Sequence, residues 1–160
     1  MSALFRFLEV LSLGVWLGAA FFVGVLLAPG AFALMPTREL AGNVVGMALT
    51  RLHLLAYACG TIFLAANFAL SQERSGVRRW APALVALMLI LTVVSQHFIT
   101  PKVAGLRTQM SAEHGSVDQT PKESPLRQQF GMWHGFSSLL ELMVMLLAAV
   151  ALFLSIRHPE

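Results

Sequence analysis

Charge is what this sequence has least of. Asp, Glu, Lys and Arg make up 12% of its 160 residues, about half the share of a soluble domain. The formal net charge of +3 is small, and the basic residues lie near the ends of apolar runs. They read as topology signals and lipid-headgroup contacts, and nucleic acid is not an expected partner. Cysteine is almost absent too. The lone Cys59 excludes an intrachain disulfide and any zinc site built on thiolates. Its apolar surroundings make it a small buried hydrophobe. No phosphate-cradling glycine loop, HExxH or GxSxG occurs. The chain therefore lacks these soluble catalytic motifs and is not expected to be an enzyme.

Apolar length is what the sequence has instead. Hydrophobic residues make up 57%, and the mean hydropathy is +0.72. One integral membrane domain over residues 1–160 is expected, with spans at about 4–28, 40–71, 81–100 and 130–156. The fold class is all-α, an antiparallel bundle of four transmembrane helices in the lipid bilayer. The first span is too long for the apolar region of a signal peptide, and Pro29-Gly30 is expected to stop it. Thr37 suits the N-cap of the second helix. That helix would be about 50 Å long against a ~30 Å hydrocarbon core. It must project, tilt or break, with Gly60 the natural weak point. Residues 73–79 read as a charged turn, followed by Trp80 as an interfacial aromatic. Pro101 is expected to end the third helix. Residues 102–126, including a solvated His114, then read as a long mobile loop. Three GxxxG pairs, Gly14 with Gly18, Gly42 with Gly46 and Gly131 with Gly135, allow close helix approach. They can act inside the bundle, in a homo-oligomer or against another membrane partner.

A few polar side chains interrupt this apolar background. His134 and Glu141 are seven residues apart, two helical turns, so they share a face with Ser137 and Ser138 between them. A carboxylate this deep in an apolar span is costly and marks a functional-site candidate. On the second span Asn43, Gly46, Thr50, His53 and Tyr57 recur at steps of three and four and form one stripe. Counting antiparallel spans puts Asn43, Arg51, His53, His97, His134 and Glu141 in one half of the membrane, and Glu9, Arg74, Arg78 and Arg79 in the other. The expectation is a polar half-cavity built from the second, third and fourth helices. In it Arg51 neutralises Glu141 directly or through His53 or His134. Glu9, within a turn of Arg6, reads as an interfacial acid paired with a nearby arginine. The turn with three arginines points to cytoplasmic N- and C-termini.

Several segments carry a resemblance: WLGAAFFVGVLLAPGAF, ELAGNVVGMALTRLHLL, FITPKVAGLR and above all FGMWHGFSSLLELM. Together they resemble the transmembrane protein 205-like family, a domain of unknown function in bacteria. Its most specific part here is Phe130 followed by His134, Gly135, Ser137, Ser138 and Leu139. The resemblance implies a four-helix protein of a bacterial inner membrane. Where that pattern has asparagine, this chain has Glu141. The layout is also similar, more loosely, to copper resistance protein D and HemJ-type membrane proteins.

Three functions fit these observations. The first is a membrane protein, with no predicted cofactor, that binds or moves a small solute or ion through the polar half-cavity. The second is a redox protein holding haem or a metal ion on some of His53, His97 and His134. The third is a structural or partner-binding subunit that uses the GxxxG faces.

Overall fold

The computed structural model describes residues 2–70 and 79–156. Four helices, α1 (Ser2–Leu34), α2 (Arg38–Ala69), α3 (Ala81–His114) and α4 (Pro125–Ile156), are long and apolar enough to cross a membrane. No strand occurs among the described residues. The chain is therefore an all-α integral membrane protein. Neighbours in sequence are neighbours in space: α1 packs on α2, α2 on α3, α3 on α4, and α4 closes back on α1. Arg74 and Arg78 of the charged turn, and the tail 157–160, lie outside the described residues.

Two expected stops turn out to be joints inside continuous helices. In α1 the backbone widens to π-helical pitch over Phe22–Leu27, and Pro29 then enters the first turn of Ala28–Leu34. Helix α3 repeats the device, with a π segment at Ser95–Ile99 and Pro101 at the start of Thr100–His114. Proline lacks an N–H, and its ring collides with the carbonyl four residues back. A π turn has already shifted that ladder by one residue, so the helix continues. Half of the expected loop is thus helix. It ends at Gly115, whose φ of 82° is a left-handed turn that glycine adopts without a Cβ penalty.

The remaining connection is tied down, contrary to the expected mobile loop. Val117 and Thr120 are buried. The Asp118 carboxylate accepts from the Arg38 backbone N–H at 3.1 Å and lies 3.6 Å from its side chain. The Arg127 side chain donates to the Val117 carbonyl. Helix α2 starts as expected, with Thr37 Oγ1 accepting from the Leu40 N–H at 3.2 Å. It passes Gly60 unbroken. Leu89 packs there so closely that a Cβ would lie 2.6 Å from its Cδ2.

One half of the bundle is solid. Leu13, Trp16, Phe63, Val85 and Met88 fill it, with Ala56, Cys59, Ala148 and Ala151 letting backbones approach. Glu9 lies at this end, 2% exposed, and accepts from Asn67 Nδ2 at 2.5 Å. It is buried between helices. The GxxxG pairs add little to packing within the chain. A Cβ at Gly14, Gly18, Gly46, Gly131 or Gly135 would meet nothing within 4 Å.

Candidate functional site

The polar groups meet midway along the helices. His53 of α2 is 2% exposed. Its Nε2 lies 2.8 Å from Glu141 Oε1 on α4 and its Nδ1 lies 2.5 Å from Gln96 Oε1 on α3. Both ring nitrogens face oxygen acceptors, which is the bonding pattern of an imidazolium. An imidazolium beside a carboxylate leaves the pair neutral overall, and this is what makes a charge tolerable at such depth. Gln96 is delivered by the π segment of α3, so the widened turn that absorbs Pro101 also aims this amide inward. The Glu141 side chain remains 22% exposed, because its other side faces open space.

That space is a cavity of about 530 Å³ lined by all four helices, within the range of about 300–1,000 Å³ typical of small-molecule sites. Its walls are mainly apolar, including Val23 and Phe32 of α1, Val45 of α2, Val103 of α3 and Met145 of α4. A few polar side chains converge on it: Glu141 at one end, Ser137, Ser138 and His134 along α4, and Arg107 at the far end. The His134 ring stacks on Phe130, with centroids 5.8 Å apart and planes 2° from parallel. Arg107 Nη1 donates to Asn43 Oδ1 at 3.1 Å, and its Cζ lies 5.9 Å from the Phe130 ring centre. The guanidinium lies across Gly42, where a Cβ would come within 2.6 Å of Nη2. Glycine at position 42 thus admits a side chain, not a neighbouring backbone. Thr100 Oγ1, which lies beside the cavity, is buried without a hydrogen-bond partner, as are Tyr57 Oη and Ser95 Oγ.

Several expectations change against this geometry. His53 and Glu141 come together, at the depth the span count gives them, and Ser137, Ser138 and His134 line the cavity beside Glu141. Arg51 does not join them. It is exposed and makes no ion pair among the described residues, and His53 takes the place beside Glu141. His97 is exposed, with Nδ1 3.2 Å from the Val93 carbonyl. Among the described residues no group of three or more His, Cys, Asp or Glu is placed to hold a metal ion, so the three histidines proposed as ligands do not form such a group. The second half of α1 also walls the cavity, in addition to the second, third and fourth helices expected to build it. Gln96 and Arg107 were missed as site residues. Gln96 was discoverable, as an amide at the counted depth of His53. Arg107 was hidden by reading Pro101 as the end of a helix.

No curated protein and no solved structure matches the chain. The sequence pattern of a family described as a domain of unknown function (DUF4149) matches residues 11–112. The match runs from within α1 to near the end of α3, and so takes in His53, Gln96 and Arg107 but not Glu141. Since it covers well over half of the sequence, the chain belongs to the DUF4149 family.

Proposed function

We propose that this chain is a non-enzymatic membrane protein that binds a small solute in the cavity between its four helices. The observation that carries the reading is a space of about 530 Å³ with apolar walls and a few converging polar groups, the usual composition of a ligand site. Kinship with the transmembrane protein 205-like family belongs to the same proposal. The residues that suggest it, His134 with Ser137 and Ser138, lie on α4 beyond the matched segment and line this cavity. So does a bacterial inner-membrane location with both termini in the cytoplasm.

The lone cysteine makes a direct test available. In a Cys59→Ser background, Ser137→Cys should react with a lipophilic maleimide. Ala104→Trp, which places an indole in the cavity, should slow that reaction by tenfold or more. A Ser137→Cys variant that folds but is inert, or reacts equally fast with the indole present, would remove the cavity as a binding site.

A further inference from the structure

We infer that the solute is an amphiphile, an acyl chain carrying an anionic head group, which enters from the surrounding leaflet between α1 and α4 and sets its head on Arg107. This rests on the cavity being the binding site proposed above.

The first support is the entrance. Val25, Pro29 and Phe32 on α1, and His134, Ser138 and Leu142 on α4, are exposed although they line the cavity. The lining residues of α2 are all buried or half-buried. The second half of α1 has few contacts with α4, and packs on α2 instead. The opposite seam, between α2 and α3, is stitched shut at its end. Ser111 Oγ donates to Glu39 Oε1 at 3.3 Å, next to the Arg107–Asn43 bond. The open seam is flanked on both sides by exposed apolar side chains such as Phe22, Leu26, Phe136 and Leu139, so what meets it is lipid, not water.

The second support is the order of groups with depth. The apolar run of α3 ends near Ile99, and Arg107 lies eight residues further on, about 12 Å along the helix and at the height of a head group. Glu141 lies about 16 Å deeper than Phe130 along α4, and Phe130 is the ring under Arg107. A molecule with a charged end and a long apolar end therefore fits in the orientation it already has in its leaflet. The third support is charge. Arg107 makes no ion pair among the described residues; its hydrogen bond goes to the neutral amide of Asn43, and the Glu39 carboxylate, which accepts from Ser111, acts on it only through space. Most of the five N–H groups of a guanidinium then remain for a carboxylate or phosphate, which the planar fork holds bidentately. Glu141 lies at the far end of the cavity from Arg107 and is held by His53 Nε2 at 2.8 Å, so it does not meet the head group.

The test uses the whole protein in phosphatidylcholine nanodiscs and two fluorescent probes, a long-chain carboxylate and the alcohol with the same chain. The carboxylate should bind wild type about tenfold more tightly or better. Arg107→Gln, which keeps a donor for Asn43, should erase that preference while still binding the alcohol, and Arg107→Lys should keep part of it. Equal binding of both probes to wild type overturns the head-group inference, and needs no variant to fold. A preference that survives in Arg107→Gln overturns it too. Ala104→Trp separates the two levels of the argument. If it leaves both probes bound as before, they bind elsewhere and the cavity reading itself fails. If it releases both, the cavity stands whatever the head group does. Displacement of the carboxylate by phosphatidylglycerol at membrane concentrations would name an anionic phospholipid as the source. Displacement by free fatty acid alone would name the acid, and either result keeps the inference.

Discussion

His53 joins three helices through two bonds, so its removal harms more than its size suggests. His53→Ala leaves the Glu141 carboxylate facing an apolar gap and Gln96 without its partner. The expected cost is about 2 kcal/mol or more, seen as a lower unfolding temperature in mild detergent. Glu141→Gln keeps an amide oxygen for Nε2 but removes the counter-charge, so it should cost about 1–3 kcal/mol, with His53 free to give up its proton. Glu141→Lys puts an ammonium against the ring and should be the worst of the three. A His53→Ala protein as heat-stable as wild type would show that this pair does not hold the bundle. The depth of these residues was legible by counting spans, whereas the partner of Glu141 was not. Arg51 and His53 are two residues apart, about 200° around a helix. The rotation that turns His53 inward therefore turns Arg51 out. Counting gives height along a helix and says nothing about azimuth.

At the scale of elements, prolines and glycines behaved differently from their usual signals. Pro29 and Pro101 lie within helices because a π turn precedes each. That turn has no sequence signature of its own, so the extension of α3 and the site cation it carries were out of reach. The glycines separate into two classes that mutation can tell apart. Gly14→Ala and Gly18→Ala add a Cβ that meets nothing, and alanine suits a helix better by up to about 1 kcal/mol. Monomer stability should therefore hold or rise slightly. Gly60→Val drives atoms into Leu89, already 2.6 Å from a Cβ at that position. A loss of about 1–3 kcal/mol is expected from overpacking. Denaturant unfolding of the purified variants would show the contrast. Equal losses at Gly14 and Gly60 would mean that the outer face of α1 is covered by something beyond the chain itself.

The molecule as a whole is a bundle solid in one half and hollow in the other. Its class was legible because four long apolar runs in 160 residues leave few alternatives to four spanning helices. The hollow was not, since empty volume depends on how four helices splay and no periodicity in one of them encodes it. What counting did establish is that the hollow half holds the α1–α2 and α3–α4 connections, so membrane orientation decides which leaflet it opens to. Basic residues at the two ends are nearly balanced. Of the described residues, Arg6 and Arg79 lie on the side of the termini, and Arg38, Lys102, Arg107, Lys122 and Arg127 lie on the other; in the sequence, Arg74 and Arg78 belong to the short connection of residues 73–79. Dense charge in a short connection weighs most in fixing topology, and that favours termini in the cytoplasm and a cavity open to the outer leaflet. In a Cys59→Ser background, Lys122→Cys should then react with a membrane-impermeant maleimide in intact cells, and Ser2→Cys only after lysis. Both sites are exposed, so lack of reaction at either reports the membrane and not burial. The reverse pattern would turn the cavity to the inner leaflet. It would leave the binding chemistry untouched and change only the pool from which an amphiphile is drawn.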